Sequence, residues 1–436
     1  MNGAVAALGE CPTLRDGTPL ADLFDLEGRR IKGRVFSDPE IFELEMTRIF
    51  SRSWLFVGLE SEIPNPGDYV ARPTAGNSVI VSRDRGGAVN VLLNRCTHRG
   101  TQLCVTDGGQ ALRFRCPYHG WLFTPDGRLE AMPAERNWLG GGDKADYAMR
   151  KARVATRGGL IFATFDDDMP DFETYLGDFR FYFDMMFCAL DDNLVSVGPP
   201  QRWSVPFNWK LGAENFVGDG YHLQTAHASL VDLGMVPGFS DLVAAIGTER
   251  RWGHGFQALV PDVPLPQEIL LAWLPPEVMP QMARHLDETQ LALVNQGSVP
   301  MVATLFPNMS WLTMPFFGAF LRVWHPVGPG EIELRTWVIA HPAADGPQRR
   351  ARMQGVNSTF GATGMFEQDD TAIWSRAQRA HQTFEGSRQW VSYACSNGGP
   401  STDWPGPGPV WTGFNSDDHI WAFHLRWLHL MTGGEL

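Results

Sequence analysis

The sequence predicts an α+β protein in which a small all-β domain is inserted into a larger domain of helices and antiparallel strands. Three observations predict it: a helix-periodic segment ahead of residue 50, a block of short strands broken by turn residues from about 54 to 165, and a longer second part mixing helical stretches with long strands.

Residues 38–50 read DPEIFELEMTRIF. Asp38 can cap a helix, Pro39 suits its first turn, and Phe42, Met46, Ile49 and Phe50 share one face, so a helix packed on something is expected. The runs that follow are strands by their β-branched and aromatic content: SVIVS, AVNVLLN after Gly86-Gly87, ALRFRC, WLF before Asp126-Gly127, and GGLIFATF. Charge and proline at Asp166-Asp167-Asp168-Met169-Pro170 end the last of them. The expected domains are 50–166 for the β block, and 1–49 with 167–436 for the larger part. In that part AFLRVWHPV and EIELRTWVIA flank Gly328-Pro329-Gly330 and predict a hairpin. Sixteen Trp, six of them after residue 370, are read as core or interface packing.

With 436 residues, 44% hydrophobic and 19% charged, the chain is long and apolar enough for two or three globular domains, which excludes disorder and fibre. Its net charge is −13 with basic residues scattered, so neither nucleic acid nor a membrane surface is an expected partner. The start, MNGAVAALGE, has no positively charged leader region, and nowhere do 18 apolar residues run together, so a cytoplasmic location is expected. In that compartment the six cysteines are reduced, and clustering with histidine points to a metal before a disulfide.

Such clustering occurs in Cys96-Thr97-His98-Arg99-Gly100 and Cys116-Pro117-Tyr118-His119-Gly120-Trp121, spaced C-x-H-x17-C-x2-H in strand-terminal loops. Two thiolates and two imidazoles suit a tetrahedral zinc, or an iron-sulfur cluster with two Cys on one iron and two His on the other. Each loop supplies one Cys and one His, as a cluster clamped between two loops requires, and Gly100 and Gly120 allow tight turns around sulfide. Cys104 falls outside the pattern and is read as a buried small hydrophobe. Arg99 is read either as a support for the cluster or a subunit contact, or as a solvated loop charge.

A second constellation stands in NWKLGAENFVGDGYHLQTAHAS, residues 208–229. Asn215, Asp219 and His222 recur at i, i+4 and i+7, one face of a helix. His227 is five residues past His222, about 140° round an ideal helix, so both can share a ligand only if the helix bends or ends there. Two histidines and a distant carboxylate make the facial triad that binds non-haem Fe(II), and FGATGMFEQDD supplies Asp369 and Asp370. The other histidines, at 254, 285, 325, 341, 381, 419, 424 and 429, are read as packed or surface groups.

In this order the two motifs resemble the large (α) subunit of Rieske non-haem iron aromatic-ring-hydroxylating oxygenases, and the resemblance covers nearly the whole chain. It implies a Rieske [2Fe-2S] cluster on Cys96, His98, Cys116 and His119, and a mononuclear Fe(II) on His222, His227 and Asp370, the last aspartate of its cluster. It implies that Asp219 bridges His222 to His119 of a neighbouring subunit, that Asn215 lies close to the iron, and that Phe216, Phe360 and Phe366 wall the substrate pocket. Dioxygen activation needs two external electrons. The chain has no G-x-G-x-x-G after a strand for NAD or flavin, so they are expected from NADH through a separate ferredoxin or reductase. A trimer of α with three small β subunits (α3β3) is the implied assembly, and cis-dihydroxylation of a neutral mono- to tricyclic arene the expected reaction. An aromatic carboxylate such as salicylate or phthalate is the alternative substrate, because Arg250 and Arg251 are not placed by sequence. The competing classes are a Rieske electron carrier without oxygenase activity and a zinc-stabilised binding protein.

Overall fold

Alternation along the β runs sorts their side chains between two cores. In the strand Asn77–Arg83, Val79 and Val81 enter one cluster with Val57, Val70, Val91 and Ile161, while Ile80 enters another with Leu92, Phe114, Trp121 and Phe123. The computed structural model describes residues 11–138, 143–234, 244–249, 251–264, 266–315, 317–396, 398–413 and 415–433. The opening MNGAVAALGE and Arg250 lie outside the described residues.

The chain divides into two compact units, one of Ser51–Pro170 and one joining the residues before Ser51 to those from Asp171 onward. The first is all β among its sheets. A four-stranded antiparallel sheet runs in the order Val89–Leu93, Asn77–Arg83, Asp68–Thr74, Gly108–Gln110. Two three-stranded sheets join it, one of Phe114–Arg115, Leu122–Phe123 and Leu129–Ala131, the other of Leu55–Leu59, Leu160–Thr164 and Arg153–Arg157. Cys104 is buried in the second core as expected, and burial pushes its thiol up to about 11.

The second unit is built on an antiparallel sheet whose longest strands form the predicted hairpin, Gly318–Gly328 against Glu331–Ala340, with Arg322 opposite Thr336. Strand Gly318–Gly328 is buried without a break from Gly318 to Pro326, so both faces are covered and the alternation expected of a one-sided strand is absent. Trp209, Trp252, Trp311, Trp324, Trp337 and Trp427 are fully buried, the packing role read from sequence.

The helix near the start spans Pro39–Arg48, with the Asp38 carboxylate accepting from the Glu40 N–H at 2.7 Å. Of the expected face Ile49 and Phe50 are buried, but within the helix Ile41 and Glu45 are covered whereas Phe42 and Met46 are half-buried. The reason is a buried charge. Glu45 accepts from Trp209 Nε1 at 2.9 Å and Trp427 Nε1 at 2.7 Å, and pairs with the fully buried Lys210. Removing either partner alone strands the other charge, which typically costs about 3–5 kcal/mol. This knot fixes the start of the helix Trp209–Asn215, which leads into the predicted iron site.

Candidate metal centres

The two Cys-His loops share one backbone plan. In each, the Cys carbonyl accepts from the Gly N–H four residues on, Gly100 to Cys96 at 2.9 Å and Gly120 to Cys116 at 3.1 Å. Each Cys N–H donates to the carbonyl five residues on, Thr101 at 2.8 Å and Trp121 at 2.7 Å. Gly100 and Gly120 sit at φ 76° and 72°, left-handed backbone that a side chain would strain. The loops bring the predicted ligands together: Cys96 and Cys116 are buried in one core cluster, and the His98 and His119 rings lie 4.5 Å apart. His98 stacks on Trp121 at 4.9 Å.

Nδ1 of His98 and Nδ1 of His119 are both buried with no hydrogen-bond partner, which is costly unless something else takes their lone pairs. Burial, with help from His119 and Arg99, holds His98 below its usual pKa and therefore neutral, as a ligand must be. Two loops that each supply one Cys and one His suit a two-iron cluster with both thiolates on one iron and both imidazoles on the other. Among the described residues, another group of donor atoms converges within 4.8 Å.

That other group is His222, His227 and Asp370. The single helix face expected for Asn215, Asp219 and His222 is not what brings them together. The helix ends at Asn215, Gly218 turns the chain at φ 132°, and a short helix Leu223–Ala226 intervenes before His227. Asp219 still meets Asn215 and His222, but through this turn: Asn215 Nδ2 donates to Asp219 Oδ2 at 3.4 Å and the His222 N–H to Asp219 Oδ1 at 3.3 Å. The break also solves the 140° problem, and the two imidazoles face one another at 5.2 Å. His419, read from sequence as packing only, donates from Nε2 to the Gly218 carbonyl at 2.9 Å and holds the turn.

Asp370 arrives from the helix Met365–His381, buried, with Oδ1 3.5 Å from His222 Nε2 and 3.3 Å from His227 Nε2. The opposite ring nitrogens are held from behind. His222 Nδ1–H donates to the Asp219 carbonyl at 2.6 Å, and His227 Nδ1–H to Asp369 Oδ2 at 3.3 Å. Metal-bound histidines need this arrangement, one nitrogen free and the other oriented by an acceptor. Burial disfavours charge on His222, yet the Asp219 and Asp370 carboxylates outweigh it and raise its pKa to about 10. Asp370 stays below the usual carboxylate range despite its burial, through His222 and His227. The site therefore favours a cation over a neutral occupant.

Aromatic rings continue from the ligands. Phe366 lies 4.8 Å from His227 and stacks on Phe360 at 5.2 Å, and Phe360 meets Phe216 at 6.4 Å. Phe320 and Trp324, which the sequence reading passed over, pack on Phe216 at 6.2 and 5.0 Å. It also passed over Arg322 and Glu367, a fully buried pair at 2.7 Å behind those rings. Arg251 is exposed and lies over Trp252. A small apolar cavity elsewhere in this unit, lined by Met186, Leu271, Trp273 and Val299, contains none of the predicted site residues.

Comparison with known proteins matches residues 53–154 to the Rieske [2Fe-2S] domain and residues 190–433 to the ring hydroxylating alpha subunit (catalytic domain). Chlorobenzene dioxygenase subunit alpha of Cupriavidus sp. (strain PS12) is 36% identical over 95% of this chain and 93% of its own. N,N-dimethyl phenylurea N-demethylase subunit alpha of Sphingobium sp. (strain YBL2) is 35% identical over 83% of each chain. Among solved structures, naphthalene 1,2-dioxygenase from Rhodococcus sp. bound to indole superposes with a TM-score of 0.84 at 33% identity, covering 93% of this chain and 94% of that one.

Proposed function

The chain belongs to the family of ring-hydroxylating α subunits, and from that premise we propose that it is the terminal oxygenase component that adds both atoms of dioxygen to a neutral arene of one to three rings. Its cofactors are a Rieske [2Fe-2S] cluster, which passes electrons singly, and a mononuclear iron, which binds and reduces dioxygen. In this reading Cys96, His98, Cys116 and His119 hold the cluster, and His222, His227 and Asp370 hold the iron. Asp369 and the Asp219 carbonyl orient the two imidazoles, Asn215 steadies Asp219, and Phe216, Phe360 and Phe366 present an apolar wall to the substrate.

The observation that carries the reading is the convergence of the half-buried His222 and buried His227 imidazoles on the Asp370 carboxylate, each imidazole oriented through its second nitrogen and His227 bordered by an aromatic ring. A carrier needs no such site. The choice of a neutral arene over an aromatic carboxylate rests on Arg322. It is the cation behind the predicted wall, and Glu367 already neutralises it at 2.7 Å, so it is not free to clamp an acid.

Product analysis tests this. The oxygenase, reconstituted with a ferredoxin and an NADH-dependent reductase, should convert chlorobenzene, biphenyl and naphthalene to cis-dihydrodiols with one O2 and one NADH consumed per product. Salicylate should give none. Turnover confined to salicylate, or to removal of methyl groups from N,N-dimethyl phenylurea, would replace the proposal.

We further propose a trimer of α with β subunits, in the cytoplasm, fed by an acidic ferredoxin. No helix among the described residues is long and apolar enough to cross a membrane. Ser51–Pro170 holds 15 Lys+Arg and 13 Asp+Glu, a net of +2, whereas the remaining residues hold 21 and 36, a net of −15. An acidic donor is therefore drawn to the Rieske unit and repelled elsewhere. Its second-order rate of cluster reduction should fall several-fold between about 0.02 and 0.3 M salt. A salt-independent rate would remove the electrostatic part of the proposal.

A further inference from the structure

We infer that Arg322 is a positioning residue for the substrate ring, locking the aromatic wall and the Asp370 helix into one body and so setting which ring carbons face the metal. The inference rests on the oxygenase reading above and deepens it.

Arg322 is 0% exposed, in the middle of strand Gly318–Gly328. Its guanidinium donors go to three different elements. Nε donates to Thr336 Oγ1 at 3.2 Å on the paired strand. One terminal nitrogen donates at 2.8 Å to the carbonyl of Phe360, the last residue of the helix Gly346–Phe360, where a helix leaves carbonyls without partners. The other donates at 2.7 Å to Glu367 Oε2, one turn ahead of Asp370 on its helix. Glu367 Oε1 accepts from Thr371 at 3.3 Å, so the carboxylate is itself held in place. Around this fork lie the rings of Phe320, Trp324 and Phe216, 5.0, 5.2 and 5.5 Å from the guanidinium carbon.

One side chain therefore touches Phe216 and Phe320 through their ring faces, Phe360 through its carbonyl, and the ligand helix through Glu367. Stability does not account for it. A buried ion pair usually contributes no more than apolar residues of the same volume, because desolvation offsets the attraction. What the fork does supply is direction, since a planar guanidinium holds three acceptors in fixed relation. An apolar wall alone has many near-equivalent packings, and oxidation at a chosen pair of carbons is sensitive to misplacement of about 1 Å.

The test uses the assembled holoenzyme with its electron donors, with biphenyl as probe because it offers inequivalent 2,3 and 3,4 positions. Arg322→Met/Glu367→Met removes both charges together, and Glu367→Gln keeps the shape but replaces the charged acceptor by a weaker, neutral one. Both should retain iron, yet raise the minor diol at least about fivefold for the double variant and about twofold for Glu367→Gln, with more of the consumed oxygen appearing as hydrogen peroxide. Arg322→Lys, which can keep one contact, should fall between them and the native enzyme. An unchanged diol ratio and peroxide yield in Glu367→Gln, at native iron content, overturns the inference even if the double variant does not fold. If the native enzyme yields no diol from any arene, the oxygenase reading itself has failed. Calorimetric affinity for indole then still decides: at least about threefold weaker binding by Glu367→Gln is expected, and equal binding overturns the positioning role.

Discussion

Replacing Asp370 by alanine is expected to abolish product formation, by at least about a thousandfold, while the visible absorption of the iron-sulfur cluster is unchanged. Among the described residues, Asp370 is the one carboxylate whose oxygen faces the Nε2 atoms of both His222 and His227, at 3.5 and 3.3 Å. Without it the remaining imidazoles are a two-ligand set, too weak to keep a ferrous ion in solution. Iron analysis should fall from about three to about two per chain, because the cluster ligands belong to different loops and are untouched. Asp369→Ala is the control. Asp369 reaches only the far nitrogen of His227, at 3.3 Å, so its loss should cost about 10- to 100-fold in affinity or rate and leave some iron bound. Equal loss from both variants would mean that the two neighbouring carboxylates share the metal, and retained turnover in Asp370→Ala would remove the iron site proposed here.

The contrast between these neighbours marks the limit of what is legible in the sequence. The cluster loops can be read directly, because each pair of ligands lies within four residues and the glycine that closes each turn follows at once. The two iron histidines are nearly as local. The carboxylate is not: spacing alone leaves Asp369 and Asp370 equivalent, and family resemblance separated them before the geometry did. The expectation of one helix face through Asn215, Asp219 and His222 failed because the helix ends at Asn215 and Gly218 then turns the chain at φ 132°; the spacing of side chains does not register this, although the glycines at 218 and 220 lower helix propensity there. Glu45, Arg322 and Glu367 were illegible for one shared reason. A charged residue in a sequence reads as solvated, and only the fold shows the opposite charge placed beside it, Lys210 for Glu45 and each other for Arg322 and Glu367.

Asp219→Asn should leave three irons bound per chain and the cluster spectrum intact, yet lower turnover by about a hundredfold or more. The substitution keeps the shape of the side chain, and the Asp219 backbone carbonyl still accepts the His222 Nδ1–H at 2.6 Å, so the imidazole keeps its orientation and the metal its ligand. What is lost is the negative charge: burial disfavours it, but His222 outweighs burial and holds the Asp219 carboxyl below the usual carboxylate range. The side chain is 23% exposed, so part of it faces outward and is available to another chain. Tyr221 beside His222 is 55% exposed and Tyr118 beside His119 is 59% exposed, large rings that an assembly interface would cover. If Asp219 joins His222 to His119 of a neighbouring subunit, the amide weakens a charge-assisted link in that path. The step that slows is then recovery of the bleached cluster absorption when substrate and oxygen are added to the reduced enzyme, measured by stopped flow, and not the rate at which the ferredoxin reduces it. Recovery at the native rate in Asp219→Asn would assign the residue to packing around His222 and leave the two centres coupled by some other contact.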